Sequence, residues 1–84
     1  MNVVNEVHLK DVRLSHGITL QQLVNKSSVS RTTVERAERG ERTIRKAYAF
    51  RIVNALNELS GKTYTIEELG IKTEGTHDQT EEAL

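Results

Sequence analysis

The chain contains no cysteine, no proline and no tryptophan, and aromatic residues make up only 4% of its 84 positions. The lack of cysteine excludes a disulfide framework and a cysteine-based metal site. No apolar run approaches the roughly 18 residues that a membrane-spanning helix needs, and the opening MNVVNEVHLK lacks the apolar centre of a signal peptide. We therefore expect one small, soluble, cytoplasmic domain with no membrane partner and no bound cofactor or metal.

Charged residues, by contrast, are plentiful and unevenly placed. The formal net charge is zero, with twelve Lys and Arg against twelve Asp and Glu. Residues 1–72 hold all twelve basic side chains and eight acidic ones, a charge of +4, whereas residues 73–84 hold four acidic side chains and no basic one. Within residues 31–51, seven basic side chains stand against three acidic ones. Such a cluster indicates a polyanionic partner or, as the plainer alternative, a solvated face.

Apolar spacing and turn residues predict an all-α fold, a compact bundle of about five short helices. The first helix lies within residues 5–17 and ends at Gly17, a residue suited to a left-handed backbone. The second begins at Thr19, which is its expected N-cap residue. Gln22 stands three positions later and completes a capping box.

The third helix is expected to begin after Ser30, its N-cap, and to stop at Gly40. A longer fourth helix runs from about residue 45 to residue 59, with Thr43 as a possible N-cap. Its apolar stripe, at helical spacing, consists of Tyr48, Ile52, Ala55, Leu56 and Leu59.

A second capping box, Thr65 with Glu68, predicts a fifth helix of a single turn that ends at Gly70. From residue 73 onward the sequence is polar and acidic and shows no periodicity. We predict a folded domain over residues 1–72 and a disordered acidic tail over residues 73–84.

The third helix has two unlike faces. Val34 and Ala37 share the side that faces the core, whereas the basic and polar residues point away from it. The turn before this helix has only three or four residues, which suits a sharp crossing with the second helix. This geometry is a helix-turn-helix, in which the second helix of the motif enters the DNA major groove.

The segment TLQQLVNKSSVSRTTVERAERG, residues 19–40, resembles the helix-turn-helix of the lambda-repressor-like, XRE-type bacterial regulators. The matching pieces are Leu23–Val24, Val29–Ser30 and VERAERG from residue 34 to residue 40. The resemblance covers about residues 8–70. It implies a sequence-specific DNA-binding transcriptional regulator of the repressor kind, bound to double-stranded DNA as a homodimer.

The resemblance and the helix geometry together imply roles for individual residues. Glu35 is a candidate for a base contact, although pairing with Arg31 or Arg39 on the same helix is the plainer interpretation. An Arg–Glu pair between the first and third helices of the family implies that Arg13 contacts Glu38. The candidates for base contacts are Arg31, Thr32, Glu35 and Arg36. The candidates for phosphate contacts are Thr19, Gln21, Arg39, Arg42, Arg45 and Lys46.

Three positions depart from the family pattern. Leu20 stands where the family usually has a phosphate-contacting Gln or Glu and cannot make that contact through its side chain, which leaves Gln21 and Thr19 as candidates to replace it. Val24 replaces a small residue. Ser28 replaces the turn glycine, at a cost of about 1 kcal/mol if its backbone is left-handed.

Two other classes of function compete with DNA binding. Antitoxin-like and other small factors use the same fold as protein-interaction modules, and the basic cluster would then meet an acidic protein. An enzyme is not expected, because His8, His16 and His77 lie far apart and no nucleophile arrangement or phosphate loop is present. The segment TYTIEELGI and the end of the fourth helix are the candidate dimer surfaces.

Overall fold

The computed structural model describes residues 8–40 and 42–74, and the statements below concern those residues. It contains four helices: α1 (Leu9–Ser15), α2 (Leu20–Ser27), α3 (Arg31–Arg39) and α4 (Lys46–Ser60). The only extended pairing within the described ranges is an isolated parallel bridge between Ile44 and Thr73. The all-α prediction is therefore confirmed for this part of the chain.

Local sequence signals set the ends of α2 and α3 as predicted. The side chain of Thr19 accepts a hydrogen bond from the N–H of Gln22 at 3.0 Å, and the N–H of Thr19 donates to Gln22 Oε1 at 2.8 Å. Ser30 Oγ accepts from the N–H of Thr33 at 3.2 Å at the start of α3. Gly40 ends α3 with φ of 70°. The predicted caps of both helices are thus confirmed.

The prediction of a fifth helix is wrong for the described residues. The capping box itself forms, with Glu68 N–H donating to Thr65 Oγ1 at 3.1 Å and Thr65 N–H donating to Glu68 Oε1 at 3.0 Å. Only one α-type bond follows, from the N–H of Leu69 to the carbonyl of Thr65. The N–H of Gly70 instead donates to the carbonyl of Glu67, three residues back. The left-handed φ of 70° at Gly70 ends the helical turn there. Residues 66–70 therefore form a hydrogen-bonded turn.

Two details of the α4 prediction are also wrong. Thr43 is not the N-cap residue, because Arg45 occupies that position and makes no side-chain capping bond. Leu59, predicted to lie in the apolar stripe, is 36% exposed, whereas Tyr48, in the same stripe but expected to be half-buried, is 37% exposed. The reason is length: the 15 residues of α4 span about 22 Å, whereas the 8 residues of α2 span about 12 Å. α2, one of the two helices that pack against α4, is too short to cover it from end to end.

One apolar cluster holds the four helices together. α4 packs against α2 and α3, and α3 also packs against α1. Phe50, on the outer side of α4, is 51% exposed and takes no part in the buried cluster. The buried apolar residues are Leu9, Val12, Ile18, Leu23, Val29, Val34, Ala37, Ile44, Ala49, Ile52, Val53, Ala55, Leu56, Leu69 and Ile71.

Hydrogen bonds from the Asn57 side chain and from the backbone of Leu9 attach the segment after α4 to the rest of the domain. The side chain of Asn57 accepts from the N–H of Tyr64 at 2.8 Å and donates to its carbonyl at 3.2 Å. The N–H of Leu9, at the start of α1, donates to the carbonyl of Leu69 at 2.9 Å. These bonds seat the segment beneath the core and bury Leu69 and Ile71.

Pairing with the loop before α4 continues to the last described residue. The N–H of Ile44 donates to the carbonyl of Lys72, and the N–H of Glu74 donates to the carbonyl of Ile44, both at 3.0 Å. Glu74, placed in the tail by the sequence analysis, is thus hydrogen-bonded to the domain, and Thr73 lies opposite Ile44 in the isolated bridge. The predicted disorder concerns residues 75–84, which lie outside the described residues and stay a prediction.

Candidate nucleic-acid interface

The turn between α2 and α3 is short and internally hydrogen-bonded. Ser28 has a left-handed backbone with φ of 60°, alone in this among the described residues other than glycine. Ser27 Oγ accepts from the N–H of Val29 at 3.2 Å, and the side chain of Val29 is buried. The chain therefore changes direction over residues 28–30, and α3 packs against α2 after a short turn, as in a helix-turn-helix.

α3 divides into a buried side and an exposed side, as the helical wheel predicts. Val34 is fully buried and Ala37 is 2% exposed, so this side attaches the helix to the core. Thr32, Arg36 and Arg39 are exposed on the other side. Because α3 is only nine residues long, this exposed side is a compact surface about 13 Å in length.

Four arginines of α3 and the following loop form a surface that we call the basic face: Arg36, Arg39, Arg42 and Arg45. Thr32 and Glu35 line one shallow depression with the first three of these arginines. A second depression contains Arg36 and Arg45 together with Thr33 and Tyr48. Because Arg36 borders both depressions, the four arginines line two adjoining parts of the surface.

The arginines of the basic face form no ion pair within the part of the chain that the structure describes. Within the described residues, none of its four arginines has a carboxylate oxygen within 4.0 Å, and neither does Lys46 at the start of α4. Two of the acidic side chains on α3 are already occupied elsewhere, since Glu38 pairs with Arg13 and Glu35 with Arg31. The basic face is therefore free to meet an anionic ligand.

Arg31 occupies a different environment from the basic face. Its Nε lies 3.4 Å from Glu35 Oε2, and its Nη1 lies 3.5 Å from Gln21 Oε1 on α2. Gln21 in turn donates to Asn25 at 2.9 Å. These contacts are long and exposed, so they hold the guanidinium loosely and a stronger acceptor can displace them. Within the described structure, Glu35 pairs with Arg31 and not with Arg39.

Arg13 and Glu38 meet beneath α3. Arg13 Nε lies 2.6 Å from Glu38 Oε2, and Nη2 donates to Oε1 at 3.3 Å, with both side chains 7% exposed. The third guanidinium nitrogen of Arg13 donates to the carbonyl of Ile18 at 2.9 Å. A bidentate ion pair of this kind has one favourable geometry, so it fixes α3 relative to α1.

The remaining candidate phosphate contacts differ in availability. The N–H and hydroxyl of Thr19 are both used in the capping box, so these groups already have partners within the chain. The side chain of Gln21 is exposed and shares its amide with Arg31 and Asn25. Lys46 is exposed at the first position of α4.

Sequence reasoning missed two residues that border the basic face. Tyr48 is 37% exposed, close to the half-buried state expected for it, and lines the second depression, a location that the sequence did not indicate. Glu74 lines the same depression, 29 positions further along the chain from Arg45. Only the backbone pairing with Ile44 brings Glu74 there, and such pairing leaves no signal in the side-chain pattern.

Other kinds of site are not supported by the described residues. Within them, no group of three or more His, Cys, Asp or Glu side chains is placed to hold a metal ion. None of the helices described has the length and apolar content required to span a bilayer. His16 instead contacts Tyr64, with Nε2 lying 2.9 Å from the hydroxyl oxygen.

A comparison with protein families agrees with this geometry. The family model HTH_3, described as helix-turn-helix, matches residues 9–61. This range contains all four described helices and every residue of the buried cluster except Leu69 and Ile71. No curated protein and no solved structure matches the chain significantly.

Proposed function

This chain belongs to the helix-turn-helix family HTH_3, and from that membership and the geometry above we propose that it is a sequence-specific DNA-binding transcriptional regulator. α3 would lie in the major groove, which is about 12 Å wide and admits one helix with its side chains. Base edges would be read by Arg31, Thr32 and Arg36. Glu35 would hold Arg31 or accept from a cytosine amino group.

The observation that carries the proposal is the unpaired, exposed positive charge on α3. Arg36 lies on the side of α3 opposite the buried Val34 and Ala37. It has no carboxylate partner among the described residues. The planar fork of arginine fits the two acceptors of guanine in the major groove. Small side chains at the N-terminal end of α3, such as Thr32, would allow the helix to approach the bases closely.

The other basic side chains suit contact with the phosphate backbone. Arg39, Arg42 and Arg45 extend the positive surface beyond the end of α3, and Lys46 follows at the start of α4. Phosphate contacts of this type position the protein without reading sequence. Gln21 adds a neutral donor from α2, and Thr19 would add one only by giving up a capping bond.

We propose that the protein acts as a homodimer on a palindromic site. One copy of α3 reaches only a few base pairs, and two copies would occupy half-sites about 34–36 Å apart. In the segment TYTIEELGI, Leu69 and Ile71 are buried in the core, which leaves little apolar surface there. Leu59 and Phe50 on α4 are exposed apolar side chains that a second copy could cover.

Selection of bound fragments from random duplex DNA tests the proposal directly. The expected result is an enriched palindrome whose half-sites contain guanine at the position that Arg36 meets. The affinity should fall with salt, with a slope of log K against log [salt] of about −5 for a dimer that makes about six phosphate contacts. A chain that acts only as an antitoxin-like, protein-binding module would show no affinity for duplex DNA at any salt concentration.

A further inference from the structure

The C-terminal end of the described chain lies beside the basic face. We propose that the acidic segment that follows it, residues 75–84, competes with DNA for the basic face and so lowers the affinity of the protein for DNA. This inference rests on the proposed function, because it concerns the same surface. It adds a regulatory partner to that surface, namely a segment of the same chain.

The starting point of the acidic segment is fixed by two backbone hydrogen bonds. Ile44 accepts from the N–H of Glu74 and donates to the carbonyl of Lys72, both at 3.0 Å. Ile44 itself is 4% exposed and belongs to the loop that carries Arg42 and Arg45. A buried residue within the DNA-facing loop therefore holds the point from which residues 75–84 depart.

Glu74 shows that an acidic residue from this part of the chain already borders the basic face. It lines the same depression as Arg36 and Arg45. Glu74 has no basic nitrogen within 4.0 Å among the described residues, so it contributes negative potential without closing an ion pair. Two arginines and one carboxylate line the depression, so its net charge stays positive and would attract a further carboxylate.

Charge and length both suit residues 75–84 to this role. The segment carries Asp78, Glu81 and Glu82 and no Lys or Arg, opposite in sign to the four arginines of the basic face. Ten residues reach at most about 36 Å when fully extended, whereas α3 is about 13 Å long. Every arginine of the basic face thus lies within reach of the acidic side chains.

Attachment to the domain makes this weak attraction effective. A segment joined to its target by a short connection has an effective concentration of about a millimolar or more, without any new contact. DNA carries far more charge and would displace the segment, but its binding would then release fewer counterions. The full chain should therefore bind DNA more weakly at low salt than a chain without the segment, and with a shallower salt dependence.

The test measures binding to a random-sequence duplex of about 30 base pairs, three helical turns, at about 50 mM and about 300 mM salt. One variant ends after Glu74, which keeps both hydrogen bonds to Ile44. A second variant keeps the full length and carries D78N, E81Q and E82Q. The matched control carries T76A, Q79A and T80A, which change three neighbouring positions of the segment and leave its charge intact. Thermal unfolding of each protein shows that the domain is folded.

At low salt, the shortened and the neutralised variants are expected to bind about 3- to 10-fold more tightly than the full chain, and the control to bind like it. At high salt all four proteins should bind alike, because screening removes the attraction. Equal affinity of all four at low salt, or a gain in the control, would overturn the inference and leave the proposed function standing. Failure of every variant to bind duplex DNA would overturn the proposed function, and this inference with it.

Discussion

α3 takes part in two Arg–Glu pairs that differ in their surroundings, one with α1 and one within the helix. Arg13 and Glu38 lie beneath the helix, with both side chains 7% exposed and the closest atoms 2.6 Å apart. Arg31 and Glu35 lie on its outer face, 58% and 39% exposed and 3.4 Å apart. The same two residue types therefore serve as a fixed contact on one side of α3 and as a loose contact on the other.

The difference follows from solvent access. A buried guanidinium and carboxylate cannot recover their hydration if they separate, so the pair is held together and fixes the position of the helix. An exposed pair exchanges freely with water and contributes about 0–1 kcal/mol. The inner pair can thus present α3 at one angle, while the outer pair leaves Arg31 available to a ligand.

Removing the charge of the inner carboxylate should have the largest effect. Glu38→Gln leaves the guanidinium of Arg13 buried without a countercharge and is expected to lower the free energy of unfolding by about 3 kcal/mol. Urea denaturation at pH 7 measures this change. In a double-mutant cycle with Arg13→Met, the double variant should lose less unfolding free energy than the sum of the losses of the two single variants. Strict additivity would show that the pair does not act as a unit.

The next largest effect is expected on DNA recognition. Arg36→Ala should cost about 1–3 kcal/mol of binding free energy and relax the base preference at one position of the site. The matched control is Arg51→Ala, since Arg51 is an exposed arginine that lines a different depression, with Lys26 and Glu58. Fragment selection with both variants measures the preference. If both variants lose it, or neither does, Arg36 has no special role in reading bases.

A smaller and different effect is expected at the edge of the basic face. Arg45→Ala should weaken binding to all sequences about equally and make the slope of log K against log [salt] shallower by about one unit. Titrations at several salt concentrations measure the slope. An altered base preference in this variant would move Arg45 from the phosphate contacts to the base contacts.

The outer pair should give the smallest change in stability. Glu35→Gln removes the partner of Arg31 and is expected to alter the free energy of unfolding by no more than about 0.5 kcal/mol. Because it frees the guanidinium and removes a negative charge from the face, affinity for random duplex DNA should rise a few-fold at low salt. A loss of stability close to that of Glu38→Gln would remove the contrast between the two pairs.

Some features of the fold could be predicted because they depend on neighbouring residues. Thr19 with Gln22, and Thr65 with Glu68, form their capping boxes as the three-residue spacing predicts. Gly17 and Gly40 adopt the left-handed backbone expected where helices end. The division of α3 into an apolar side and a basic side follows from its helical period alone.

Other features depend on distant parts of the chain and have no local signal. Arg13 and Glu38 are 25 positions apart, and only the family resemblance brought them together before the structure did. The pairing of Ile44 with residues 72–74 involves backbone atoms that every residue has. The exposure of Leu59 depends on how far the helices packed against α4 extend along it, and the sequence of α4 does not contain that information.

The most direct test of the central claim, that the outward side of α3 is the surface that meets DNA, is a map of backbone amide resonances during titration with duplex DNA. The account predicts that the largest shifts occur in residues 31–36 and 42–46. The amides of residues 50–58 and 64–69 should change little. Absence of shifts at low salt, or the largest shifts around Phe50 and Leu59, would contradict the account.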